Sequence, residues 1–194
     1  MMKRVSALVG MCLLAGVAQA VSQTYSIDPS HTYPSFETSH MDISVWRGKF
    51  NRSQGRIELD RERQQGSVDV RIEAASIDFG HDKMNEVARG EHYFQAERFP
   101  EIRYRGPLRF EAGQPVAVDG ELQLLGISRP VPLRIQRFRC LIHPLLRREV
   151  CGADATAEFD RRDFGMDYAA QYGSTQVRLA IQVEAVLDPK PGPR

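Results

Sequence analysis

The side chains of this chain that could carry chemistry are few and scattered. Asp28 and His31, in Asp28-Pro29-Ser30-His31, could act together as a general acid and base. The same four residues suit a turn in which the aspartate accepts hydrogen bonds from backbone amides two residues on, and no nucleophile lies near them in sequence. His31 and His40 are poor joint metal ligands. On one extended strand they would stand about 30 Å apart and on opposite faces, and only a sharp bend, for instance at Pro34, would bring them together. His81 and His92 flank a short helical stretch, and His143 lies between two cysteines, where exposure is expected. Arg161-Arg162-Asp163 reads as a solvated turn or, beside a pocket, as an anion clamp. A Gly-x-Ser-x-Gly elbow fails because Gly126-Ile127-Ser128 runs into Arg129-Pro130, and the His-Glu-x-x-His, Gly-x-Gly-x-x-Gly and phosphate-loop patterns are missing. No catalytic centre, metal site or cofactor is implied.

The compartment bears on the remaining reactive groups. Met1 to Ala20 combine Lys3 and Arg4, a short apolar run and Ala18-Gln19-Ala20, the pattern of a secretory signal cleaved after Ala20. Such a run is too short to stay in a bilayer as a helix, and the mature protein is expected to be exported and soluble. Cleavage would leave 24 basic against 25 acidic side chains, and with no Lys/Arg stripe a nucleic-acid partner is excluded. The domain is expected over 21–188, with a disordered tail at 189–194. Cys140 and Cys151 survive cleavage, and an even pair in an oxidising compartment reads as a disulfide. It would bracket a polar loop containing Pro144 between strand-like segments at 131–138 and 153–159, with Cα atoms about 5.5 Å apart.

The elements that must position these residues are strands. Thr24 to Phe50 carries Phe36, His40, Trp46 and Phe50 at intervals suiting one long, bent antiparallel hairpin. Val68, Val70 and Ile72, then Val116 to Leu124, Val131 to Ile135 and Val177 to Val183, alternate apolar with polar, as half-buried antiparallel strands do. Turn signals separate them at 61–66, 111–115, 126–130 and 171–174. One stretch has helical spacing, Met84, Val87 and Ala88, with Asp82 as the N-cap and Gly90 as the stop. About eight strands form a sandwich or, as we favour, a closed barrel that hides its edges and leaves room for side chains or one small ligand.

Several of these stretches together resemble the YceI-like family: Tyr25 to Thr32 with Phe36 and His40, Arg47-Gly48-Lys49-Phe50, Ala75-Ser76-Ile77-Asp78, Tyr93-Phe94 with Phe99-Pro100-Glu101-Ile102, Gly120 to Val131, and Arg162-Asp163-Phe164-Gly165-Met166. They occur in the family's order and cover nearly the whole chain after the leader. Where many members read Arg-Asp-x-His-Leu, this chain has Lys83-Met84-Asn85-Glu86-Val87, and its cysteine-bracketed loop resembles a subgroup. The resemblance implies an all-β, lipocalin-like, eight-stranded antiparallel barrel with one short helix. It also implies a periplasmic carrier of a long-chain amphiphile of polyisoprenoid, quinone or fatty-acyl type, rather than an enzyme.

The residues expected to line such an interior are Phe36, His40, Trp46, Phe50, Phe79, Met84, Phe94, Phe99, Tyr104, Phe164 and Met166, large or adaptable apolar groups beyond what the aliphatic strand faces need. Asp28, His31, Arg162 and Asp163 are the polar residues of the pocket or of the fold. A small hydrolase or isomerase using Asp28 and His31 is the alternative function. A homodimer, and transient contact with a membrane or a membrane redox protein, stay open.

Overall fold

Period-two alternation becomes wall in residues 22–189, which the computed structural model describes. The leader read at 1–20 and all but the first residue of the tail read at 189–194 lie outside them. The strands are β1 (Gln23–Ile27), β2 (Tyr33–His40), β3 (Ser44–Phe50), β4 (Ser53–Asp60), β5 (Gln65–Glu73), β6 (Ile77–Asp78), β7 (Glu101–Glu111), β8 (Gln114–Val118), β9 (Glu121–Leu124), β10 (Ile127–Pro130), β11 (Leu133–Ile142), β12 (Glu149–Asp160) and β13 (Gln176–Leu187), with helix α1 (Asp82–Arg89) between β6 and β7.

These strands build eight staves, because five staves are each broken once by a bend. β13 pairs with β2 along one half and with β1 along the other, so β1 and β2 continue one another. β3 and β4, β5 and β6, β8 and β9, and β10 and β11 are joined in the same way. All pairing is antiparallel, and the return of β1 to β13 closes the barrel, which hides strand edges that would otherwise template association except along the outer half of β11.

The bends are bonded rather than frayed. Where β1 leaves the wall, Asp28 N donates to Glu184 O at 2.9 Å, and Glu184 N donates to Thr32 Oγ1 at 3.1 Å, so β13 keeps its partners across the gap. Thr32 is buried, and its carbonyl accepts from Ser53 Oγ at 3.1 Å, which ties this bend to the one between β3 and β4. Ser76 joins the third bend to the second, its Oγ accepting from Arg52 N at 3.1 Å and its carbonyl from Asn51 N at 3.0 Å. At the bend between β8 and β9 the side chain itself must vanish: a Cβ on Gly120 would stand 2.2 Å from the Tyr104 ring.

Residues facing inward are aliphatic and aromatic. Outward ones pair across strands, as Arg103 does with Asp69 at 2.6 Å and Arg178 with Glu158 at 3.1 Å. This inside-out distribution is the reverse of a barrel that faces lipid along its wall.

Staves that alternate in direction put the 41–43 turn, the 79–100 segment, the Leu125-Gly126 turn and the 161–175 segment at one end. The turns at 61–64, 112–113 and 143–148 lie at the other. One turn expectation and one cap expectation shift. The turn expected at 126–130 is the two-residue pair Leu125-Gly126, with φ of 52° and 75°, while Ile127–Pro130 is strand β10. Positive φ at both central residues matches the right-handed twist of a hairpin, and Gly126 supplies one of them freely. The N-cap of α1 is His81 rather than Asp82: its Nδ1 accepts from Met84 N at 3.3 Å, and Asp82 begins the first turn, where its charge suits the helix N-terminus.

Candidate ligand-binding cavity

Every stave contributes inward side chains to one continuous cavity of about 570 Å³. Its floor, at the 61–64 end, is closed by Tyr25, Leu59, Cys151 and Ala185, with Ile27 packed beside them. The Tyr25 hydroxyl donates to Glu149 Oε1 at 2.9 Å, and Arg61 Nη2 pairs with the same oxygen at 2.6 Å. Burial, followed by the Glu149 carboxylate, pushes the Tyr25 phenol up to about 12, so it stays a donor and the floor stays neutral and bonded.

Aromatic rings form one wall of the upper half. His40 stacks on Trp46 at 3.9 Å, Trp46 meets Phe79 edge-on at 6.3 Å, and Phe79 meets Phe36 at 5.5 Å. Phe36 is 5.8 Å from Phe50, which meets Phe94 at 5.4 Å, and all six rings line the cavity. The β2–β3 hairpin brings them together because Phe36 is opposite Gly48 and Thr38 opposite Trp46, so the ring of Phe36 lies over a residue without a side chain. The hairpin is the bent one expected from the sequence.

The other end is capped by three segments. Met84, Val87 and Ala88 turn the apolar face of α1 to the cavity, and Asn85 pins the helix to β6 by donating to Asp78 Oδ1 at 3.1 Å and accepting from Phe79 N at 2.7 Å. The run that departs from the family pattern therefore supplies both the lid surface and its anchor. The 161–175 segment touches the helical segment through His92 stacked on Tyr168 at 4.2 Å. It touches the 41–43 turn through Ser174 N, which donates to Asp42 Oδ1 at 3.0 Å. Arg161 shapes this segment internally, donating to the carbonyls of Met166 and Tyr168.

Polar lining groups are gathered at this mouth: His40, His81, Lys83, Arg161, Tyr172 and Ser174. Polar positions elsewhere in the lining include the hydroxyls of Thr38, Tyr25, Thr32 and Tyr104, the last donating to Val131 O at 2.9 Å and pushed above the ordinary phenol value by burial. A chamber with an apolar shaft and a polar rim can hold an extended apolar chain with its head at the mouth. Among the described residues, no lining hydroxyl is hydrogen-bonded to His40 or His81.

Of the expected lining residues, Phe36, His40, Trp46, Phe50, Phe79, Met84, Phe94, Tyr104 and Met166 face the cavity. Phe99 and Phe164 do not: Phe99 is partly buried against the core beside Gly126 with Arg98 over its ring at 5.0 Å, and Phe164 is fully buried against Phe159 at 5.2 Å. Asp28 and His31 meet at 2.8 Å, but on the outer surface, where Ser30 N also donates to Asp28 Oδ1 at 2.8 Å; this is the turn geometry. Arg162 and Asp163 also point out, Arg162 pairing with Asp160 at 2.6 Å, while the neighbouring Arg161 lines the mouth. His31 and His40 remain apart. His143 is only half exposed, its Nδ1 accepting from Leu145 N and Leu146 N in its own loop.

Cys140 and Cys151 are joined, as expected, at directly opposite positions of β11 and β12, with Cα atoms 4.0 Å apart, nearer to the spacing of a close antiparallel pair than to 5.5 Å. Glu149 lies beside them, the grouping among the described residues with metal-ligand types close together, but both sulfurs are spent on each other. The loop they bracket is not polar: Leu141, Ile142, Leu145 and Leu146 are exposed on it.

A closed eight-stave antiparallel barrel with an apolar shaft and a capped mouth defines a class of proteins built around one enclosed apolar chamber. The model described as a YceI-like domain matches residues 25–185, and this chain belongs to the YceI-like family. It is 25% identical to a UPF0312 protein of Photorhabdus laumondii over 189 residues, 96% of this chain and 98% of that one. It is likewise 25% identical to Protein YceI of Salmonella newport over 177 residues, 90% and 92% of the two chains. Among solved structures, BcnA of Burkholderia cenocepacia shares the fold with a TM-score of 0.66 at 17% identity, covering 82% of this chain and 99% of its own. A polyisoprenoid binding domain from Saccharophagus degradans, implicated in plant cell wall breakdown, does so with a TM-score of 0.58 at 16% identity, covering 84% and 98%.

Proposed function

We propose that this protein is a periplasmic carrier of a long-chain amphiphile of polyisoprenoid, quinone or fatty-acyl type, with the tail along the barrel axis and the head at the mouth. The cavity carries this reading: about 570 Å³, apolar over its shaft, with its cationic lining groups, Lys83 and Arg161, at the rim. That volume lies within the roughly 300–1,000 Å³ of small-molecule sites. Each methylene drawn from water into the shaft contributes roughly 0.8 kcal/mol, so a tail of ordinary length offsets the cost of ordering it. The likeness to a domain described as polyisoprenoid binding supports the same ligand class. The leader at 1–20 supports export, and a purified periplasmic protein beginning at Val21 is the expected product.

Catalysis through Asp28 and His31 is the weaker reading, because the pair lies outside the chamber, at a bend it helps to hold. The test uses Trp46, the single tryptophan, which lies in the lining. Delipidated protein titrated with a short-tailed quinone should show saturable quenching of Trp46, and prenyl or fatty-acyl chains should reverse it by competition. Ala153→Phe, which fills the shaft from an inward position on β12, should abolish the quenching while leaving the fold intact. Absence of saturable uptake of all three probe classes by the wild-type protein overturns the carrier reading.

A further inference from the structure

The β11–β12 hairpin runs on past the point where the barrel wall holds it. Pairing between β11 and β8 ends at Arg134 opposite Ala117, whereas β11 stays paired with β12 as far as Ile142 opposite Glu149. Among the described residues, the outer half of β11 therefore has a strand on one side only. The disulfide crosses the hairpin just before its tip and keeps the two strands together there. Beyond it the apolar side chains open to water: Leu145 is 86% exposed, Ile142 65%, Leu146 49% and Leu141 45%.

The charges around this tip are mostly basic, although Asp154 stands opposite Arg137 further down the hairpin. Between 137 and 151 the chain carries Arg137, Arg139, Arg147 and Arg148, and a single acidic residue, Glu149. Glu149 is already matched by Arg61 and by the Tyr25 hydroxyl. Arg148 is held against the Leu187 carbonyl, while Arg137, Arg139 and Arg147 are exposed and make no ion pair among the described residues. The pattern differs from the mouth rim, where exposed Met41, Ile43 and Tyr172 are interleaved with the Asp42 carboxylate.

We propose that this hairpin tip is a peripheral membrane anchor, seating its leucines and isoleucine in the interface of a bilayer that contains anionic lipid. A projecting knob is the shape that enters such an interface, where apolar side chains reach the acyl boundary and arginines meet lipid phosphates. A second copy of the chain is the poorer partner, since a two-fold contact between tips would set the same unpaired arginines against each other. The anchor lies at the end of the barrel away from the mouth, so docking turns the mouth from the membrane. This inference is independent of what the cavity holds.

Cosedimentation of the oxidised, exported protein with vesicles tests it. Vesicles of equal parts phosphatidylglycerol and phosphatidylcholine should retain the protein, and vesicles of phosphatidylcholine alone should not. The Leu145→Ser/Leu146→Ser protein should partition at least about tenfold more weakly, and Arg139→Gln/Arg147→Gln should lose the preference for phosphatidylglycerol, each with an unchanged melting temperature. Ile43→Ser at the mouth should bind like wild type. Failure of the wild type to bind the mixed vesicles, loss of binding in Ile43→Ser with retention in the hairpin variants, or a hairpin-dependent dimer without vesicle binding would each overturn the proposal. Quenching of Trp46 by a short-tailed quinone should be the same in the hairpin variants as in wild type, which separates a failure of the anchor from a failure of the carrier.

Discussion

At Asp28 one carboxylate bonds twice, with Oδ1 accepting from Ser30 N and Oδ2 facing His31 Nδ1, and both bonds hold the chain as it steps out of the wall between β1 and β2. The hydrogen bond to His31 lowers the Asp28 carboxyl, and the same bond raises the His31 imidazole. The His31 share is therefore present below the ordinary imidazole value of 6.5 and lost as pH rises through its folded value. The Asp28 share is present above the ordinary 3.8 and lost as pH falls through its own. His31 is well exposed, so the effect belongs in a titration rather than a melting curve. In a nuclear magnetic resonance titration His31 should ionise above 6.5 in the wild type and return toward that value in Asp28→Asn. An ordinary His31 value in both proteins would show that the pair does not form in solution. No catalytic turnover should depend on either residue.

The element most open to test is the 161–175 segment, because Asp160 stitches both of its ends. Its carboxylate accepts from Arg162 at 2.6 Å, from Thr175 Oγ1 at 2.9 Å and from Gln176 Nε2 at 3.2 Å. The Arg162 guanidinium holds the Asp160 carboxyl well below the usual carboxylate range. A depressed value places this stabilisation above the ordinary carboxylate pKa, so the cap should stay fastened through mildly acidic pH and loosen only in strong acid. Asp160→Ala should raise hydrogen exchange across 161–175 and speed ligand release at neutral pH, with exchange in β7 and β13 unchanged. Unaltered exchange in the segment would mean that the Arg161 and Tyr168 contacts suffice.

Elements were also where the sequence was most and least readable. Alternation such as Val177-Arg178-Leu179 declares a half-buried strand, and large rings at 36, 46 and 50 declare a hairpin with one apolar face. Alternation cannot say that a stave breaks at Asp28–Thr32 or at Gly120, since the same inward face resumes after the bend. Leu125 gives no sign of the positive φ it adopts beside Gly126. Arg161 and Arg162 differ by one residue, and only the turn of the chain at Asp160 decides which faces the mouth. Aromatic size foretold that Phe99 and Phe164 would pack in the core but not that they would stay out of the cavity lining. The leucines between Cys140 and Cys151 were masked by the arginines and proline around them.

For the molecule as a whole, the disulfide is the one covalent crosslink among the described residues. Its two cysteines are 11 residues apart, and closing such a loop contributes about 3 kcal/mol in the chain-entropy model. Reduction should lower the melting temperature by roughly 6–12 °C for a domain of this size. Strand content at room temperature should be kept, since β12 remains paired with β13 along its length. Because Cys151 belongs to the floor rather than the mouth, ligand entry should be unaffected. An unchanged melting temperature on verified reduction would place the bond outside the stability of the fold.

The seam between β1 and β13 governs how this molecule comes into being. Tyr25 lies opposite Leu187 and Asp188 N donates to Thr24 O, so the earliest stave of the barrel is sealed by the latest one across nearly the whole described chain. Local hairpins can form while the chain is still arriving, but the ring cannot shut until its final stave is present. If the chain is exported as proposed above, it would stay threadable through most of its synthesis, and the step that makes it compact would fall after translocation, together with the joining of Cys140 to Cys151.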